Sequence, residues 1–412
     1  MRIIEDLKNN SVRLVWFLLQ KFLLLLNKVF FQGLERDTIE RIIIFRTGQL
    51  GDTILALPAI NYIRSLFPNG HISLLTDRHE NANYVSAQTV VSLTNGVDDF
   101  LFFDSAQMNN RAYRKNLITT VRDRSYDILF YLGAERESTV RVIRNMVWWR
   151  FMAGLKSANG FTKGHILGKL EERFLDLYSL SNEADRLLES VLHGSLKIPN
   201  NIHAKFGIAS AKTESVQRIL KQIGGCDICA IAPGSKMQVK QWGVEKYREL
   251  GNRLLKQHPN FFLVVLGGKE DEAIGQELVR SWGSQVVNLA GRLSIQESYT
   301  ILEHADLFVG NDSGTMHLAA AAGLACVGIF TARSPKNLWY PYGTNHKVIR
   351  HETDCHYCLL EDCTIQKAKC IRSIDVDEVF RAAEEILQKT KAGKPASPKF
   401  RFVDTRPELA FS

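Results

Sequence analysis

The chain has 412 residues, 45% of them hydrophobic and 23% charged, a balance that excludes an intrinsically disordered protein and supplies enough core for two ordinary domains. Its net charge of +8 favours anionic partners such as nucleotide diphosphates, phosphorylated lipids or membrane surfaces. The basic residues are spread along the chain without a helix-turn-helix, zinc-finger or ribonucleoprotein motif, so no nucleic-acid partner is expected.

Residues 1–40 stand apart. Val12–Phe31 is strongly apolar yet broken by Arg13, Gln20, Lys21, Asn27 and Lys28, whereas a spanning helix wants about 20 apolar residues with few charges. A small-residue cleavage site for a signal peptide is also missing. The segment is expected to lie in a membrane interface with Trp16, Phe17 and Phe22 among the headgroups, and the alternative is a helix packed on the rest of the protein or on a partner.

From Arg41 the pattern alternates short apolar runs with helical stretches, which predicts parallel sheets covered on both faces. Strands are expected at Ile42–Phe45, His71–Thr76, Phe100–Phe103 and Ile128–Tyr131, and the signal blurs from Glu135 to Leu196. Pro199, Asn200 and Asn201 suggest a linker. The alternation then restarts, with strands at Ile228–Ala232, Phe261–Leu266, Val286–Leu289, Leu307–Val309 and Cys326–Phe330, and with Ser294 and Glu297 as a capping box. The expected organisation is α/β: two doubly wound Rossmann-like domains, 41–200 and 201–372, facing a cleft, then a helix in 373–390 and a tail in 391–412.

Candidate chemistry gathers where strands run into helices. At Asn311–Gly314 a buried strand meets a small-residue helix whose first N–H groups are unpaired and partly positive, a seat for phosphate, and His317 falls one turn further on the same side. At Gly48–Asp52 a glycine-bearing loop delivers Asp52 to a helix start, where an N-cap aspartate is the alternative reading. Cys355, Cys358, Cys363 and Cys370 form C-x2-C-x4-C-x6-C, a donor set for a structural Zn²⁺, with two disulfides or four free thiols as alternatives. Asp375 and Asp377 make a D-x-D, but at a predicted helix start, where acidic residues serve the dipole.

Four stretches together, Gly51–Ala59, Ala232–Gly243, Leu266–Glu272 and Asn311–Gly323, resemble glycosyltransferase family 9, the ADP-heptose:lipopolysaccharide heptosyltransferases, and a late cysteine-rich stretch also occurs in some members. The resemblance implies the GT-B architecture, a final helix crossing back to the first domain, and an inverting, metal-independent transfer of heptose from ADP-heptose to a lipid-linked lipopolysaccharide core acceptor. It implies Asp52 as base and Lys240 as a cation for the leaving diphosphate. Ser235, Lys236, Asp312, Ser313, Gly314 and His317 would complete the donor site, and Asp271, or its neighbours Glu270 and Glu272, would meet the ribose. Gly243 departs from the family, where proline often follows the tryptophan matched by Trp242. No cofactor is expected for catalysis, and the place of work is the inner face of the cytoplasmic membrane. A transferase for another nucleotide-sugar, a nucleotide-sugar epimerase and a silent scaffold are the competing readings.

Overall fold

The computed structural model describes residues 18, 21–78, 84–133, 139–161, 182–193, 206–364 and 366–391. Residues 1–17, the 199–201 linker and the tail from 392 lie outside the described residues.

Two parallel sheets carry the chain. The first has the order β3 (Asp99–Phe103), β2 (His71–Asp77), β1 (Arg41–Phe45), β4 (Ile128–Tyr131), β5 (Ser157–Asn159). The second runs β11 (Lys347–Arg350), β10 (Cys326–Phe330), β9 (Leu307–Asn311), β6 (Asp227–Ala232), β7 (Phe261–Val265), β8 (Val286–Asn288). Nearly every residue of β1, β4, β6, β7, β9 and β10 is buried, as expected of strands with helices on both faces. In each sheet the order reverses beside the first strand of the domain, and ligand crevices form outside the carboxyl ends of strands at such points.

All nine strands read from the sequence are present, with ends shifted by a residue or two. The two it missed, β5 and β11, are edge strands of small or charged residues that carry no apolar run. Ser294 and Glu297 form the expected capping box, Ser294 Oγ accepting from Glu297 N–H at 3.2 Å.

The final helix, Val376–Lys391, corrects the expectation that it crosses back to the first domain. It packs on the second, against the helix Val244–Gln257 and strands β9–β11, because Val379, Ala383, Ile386 and Leu387 form an apolar stripe that completes that core. Asp377 at its start pairs with Arg253, so the D-x-D does structural work. A link between domains comes instead from the helix Glu183–Leu192, which packs on the first domain while Glu183 N–H donates to Leu338 O at 2.9 Å and Tyr342 Oη donates to Asp185 Oδ1 at 2.7 Å. No described helix is long and apolar enough to cross a membrane.

Candidate active site

The loop after β1 and the loop after β9 bring two helix starts face to face. Gly51 and Gly314 permit this: a Cβ at Gly51 would stand 2.8 Å from His317 Cδ2, and one at Gly314 would stand 2.8 Å from Leu50 Cδ2. A side chain at Gly51 would require the His317 ring to move, and one at Gly314 the Leu50 side chain. Between the domains opens a cleft of about 640 Å³.

All nine sequence-derived transfer residues line that cleft: Asp52 from the first domain, and Ser235, Lys236, Lys240, Asp271, Asp312, Ser313, Gly314 and His317 from the second. Asp52 sits at the third position of the helix Leu50–Ile54, where its Oδ2 accepts from Gln49 N–H at 2.9 Å. The N-cap position itself belongs to Gln49, so Asp52 is not the N-cap aspartate of the alternative reading but its capping-box partner three residues on, a contact that fixes a carboxylate lining the cleft. Lys240 Nζ pairs with Asp312 Oδ2 at 2.7 Å, both largely buried. Lys236 Nζ reaches across the cleft to Gln49 Oε1 at 2.7 Å.

Ser313 occupies the N-cap position of the helix Gly314–Ala321, but its hydroxyl does not cap. Ser313 Oγ and His317 Nδ1 are buried with no hydrogen-bond partner among the described residues. Buried polar atoms are rarely left so, and two of them beside a helix start in one cleft mark a place for a polar ligand. Burial pushes the His317 pKa down to about 4, the Lys240 charge adding to this while Asp312 and Asp52 oppose it, so the imidazole is neutral near pH 7. Asp271 is held at the mouth of the β7 loop by Gly268 N–H, 2.9 Å from its Oδ2, and burial raises its pKa. Glu270 also lines the cleft, whereas Glu272 pairs with Lys269 on the surface.

Trp242 serves the core rather than the cleft. It is buried in the second core, its Nε1 donating to Ile374 O at 2.9 Å and its backbone N–H to Asn311 Oδ1 at 3.3 Å. It anchors the loop that presents Lys240. Gly243 follows at φ +117°, a conformation closed to proline, so this chain starts the helix Val244–Gln257 in its own way.

No local pattern of residues announces the ion cluster beneath Asp52. Arg46, 2% exposed, donates from Nη2 to Asp52 O at 2.8 Å and from Nη1 to Glu183 Oε1 at 3.4 Å. Arg186 meets the same fully buried carboxylate bidentately, at 2.6 and 2.7 Å. Arg333 likewise went unread; it donates to Leu359 O and Leu360 O at 2.6 and 2.7 Å, and so sets Leu359 and Glu361 against the cleft.

Cys355, Cys358, Cys363 and Cys370 are half-buried free thiols, so neither disulfide is present. Burial raises the Cys370 pKa, and charge on the other three acts in the same direction, which places the four in one neighbourhood. Four thiols are a fitting donor set for zinc, yet among the described residues no three His, Cys, Asp or Glu are disposed to hold a metal ion.

The model of glycosyltransferase family 9 (heptosyltransferase) matches residues 190–369, which hold most of the second domain and eight of the nine cleft residues. Over that stretch the chain is similar to glycosyltransferase family 9. Lipooligosaccharide heptosyltransferase 2 of Campylobacter jejuni is 24% identical over 170 residues, 40% of this chain and 52% of that protein. The chain spans about half the length, or less, of the curated relatives it matches. Two solved structures share its fold: a family 9 glycosyltransferase from Veillonella parvula (TM-score 0.64, 18% identity, 87% of this chain and 99% of that one) and the E. coli ADP-heptose lps heptosyltransferase II (TM-score 0.59, 16% identity, 86% and 100%). The architecture is therefore GT-B, and both of these likenesses are of fold.

Proposed function

We propose that this protein is a family 9 glycosyltransferase that transfers heptose from ADP-heptose to a lipid-linked lipopolysaccharide core acceptor at the inner face of the cytoplasmic membrane, with inversion at the sugar. One observation carries the reading: a single carboxylate from the first domain, Asp52, faces a diphosphate-sized cradle from the second, built of Lys240, Ser313 and the Gly314 helix start. The Campylobacter jejuni relative, a lipooligosaccharide heptosyltransferase by name, supports the sugar.

In this scheme Asp52 takes the proton of the acceptor hydroxyl as its oxygen bonds to the anomeric carbon. The bond from that carbon to the diphosphate breaks in the same displacement, which inverts the centre. Charge developing on the departing ADP is met by Lys240, Lys236 and the N–H groups opening the Gly314–Ala321 helix. Neutral His317 and Ser313 supply short-range hydrogen bonds to the diphosphate or sugar, and Asp271 accepts from the ribose hydroxyls. Asp312 holds the Lys240 ammonium at the cradle, where its remaining donors serve the phosphate oxygens.

Thermal shift with ADP, UDP and GDP tests the donor. ADP at a hundred times its dissociation constant should stabilise the protein by about 2.7 kcal/mol and the others less. A preference for UDP or GDP would overturn the adenine assignment. A structural zinc on the four late cysteines is proposed separately from the reaction: purified protein should carry about one equivalent, lost with stability in Cys358→Ser. Metal-free protein of unchanged stability would remove it.

A further inference from the structure

Residues 21–30 are helical and packed on the first domain by one face only. Leu23, Asn27 and Phe31, at intervals of four, are buried; Phe31 stacks on Phe161 at 5.6 Å, and Gln32 N–H donates to Lys156 O at 2.7 Å. The opposite face carries Leu18, Phe22, Leu25 and Val29, which are 56, 45, 58 and 70% exposed. The packing alternative read from the sequence is thus present over residues 21–31, while the outer side of the helix is apolar and exposed; Trp16 and Phe17 lie outside the described residues.

A second element stands beside it. The helix Thr139–Val147 runs into the π-helical turn Trp148–Met152, burying Val142, Met146 and Trp149 and exposing Val140, Val147, Phe151 and Met152. Phe30 meets Phe151 edge-on at 5.8 Å, so the two apolar faces adjoin. Among the described residues, every large apolar side chain that is exposed belongs to these two elements. Scattered exposed apolar residues are ordinary, but their confinement to one patch is not.

Charge says what covers the patch. Residues 18–34 and 139–156 contain Lys21, Lys28, Arg141, Arg144, Arg150 and Lys156 and no Asp or Glu. Glu35 and Glu137 adjoin these stretches in sequence, but within them the apolar ridge is accompanied by cations alone, the complement of an anionic bilayer surface. The patch is also tied to the catalytic side of its sheet: Trp149 packs on Phe45 at 5.9 Å, and Asn145 Nδ2 donates to Tyr131 Oη at 2.6 Å. Phe45 and Tyr131 are the last residues of β1 and β4, and the Asp52 loop leaves from Phe45.

We propose that the 21–30 helix and the Thr139–Met152 element form one composite docking surface for anionic lipid, which seats the first domain on the membrane with its strand ends toward a lipid-borne acceptor. The orientation rests on the transfer reading; the docking does not. Full-length protein should float with vesicles of phosphatidylglycerol and phosphatidylethanolamine, less so as salt rises, and weakly with phosphatidylcholine alone. Val140→Asp with Val147→Asp should lower partitioning at least about tenfold, as should Leu25→Asp with Val29→Asp, while the thermal shift given by ADP stays unchanged. Two results would overturn the proposal. One is vesicle binding by the Val140/Val147 variant equal to wild type. The other is a wild-type dimer in light scattering that both variant pairs dissociate, since a second copy would then cover the patch. Failure of ADP to bind wild type would count against the transfer reading alone.

Discussion

Asp52→Asn should fold and bind donor as wild type does while losing on the order of 10²–10⁴-fold in transfer, the usual share of a general base. The amide oxygen of Asn can still accept the Gln49 N–H that Asp52 Oδ2 accepts at 2.9 Å, so the helix start survives. What disappears is the group that can take a proton. Rates with saturating donor and acceptor, alongside an ADP thermal shift, separate the two effects. Turnover near wild type with normal donor binding would leave Asp52 as a cap and nothing more.

The second large effect is on stability. Glu183→Ala should cost about 3–5 kcal/mol, because it strips the shared carboxylate from Arg46 and Arg186 and leaves Arg46 charged in an interior where its side chain is 2% exposed. Arg46 also holds the Asp52 carbonyl, so the loss should reach the catalytic loop. Urea unfolding reads the first part and the transfer rate the second. Replacing the pair together, Arg46→Met with Glu183→Leu, should cost less than the sum of the single changes, since no charge is then orphaned. A loss below about 1 kcal/mol in Glu183→Ala would mean that water reaches the cluster and screens it.

The contrast between these two sites shows what a linear reading can reach. Asp52 and the Asn311–Gly314 join were legible because each follows an apolar strand, carries glycine where backbone must come close, and opens a helix; all three signals are local. Arg46 and Glu183 are 137 residues apart, and nothing near either one announces a partner. Only the packing of the helix Glu183–Leu192 against the helix Leu57–Leu66 and strands β4 and β5 brings them together. Trp242, too, is placed by a distant partner, its indole N–H going to Ile374 O in the core 132 residues on. The inner strands were likewise legible as continuous apolar runs, while β5, Ser-Ala-Asn, and β11, Lys-Val-Ile-Arg, owe their pairing to neighbours already in place. Exposure of Val140, Val147 and Phe151 could not be read at all, because the same residues would serve equally well in a core.

The measurement that bears most directly on the proposed activity is ADP release from ADP-heptose, followed with and without a lipid-linked core acceptor that lacks the heptose. Transfer through Asp52 predicts release that requires the acceptor, matches heptosylated product one for one, and collapses in Asp52→Asn. ADP-heptose consumed at the same rate without acceptor, or left intact in its presence, would contradict it.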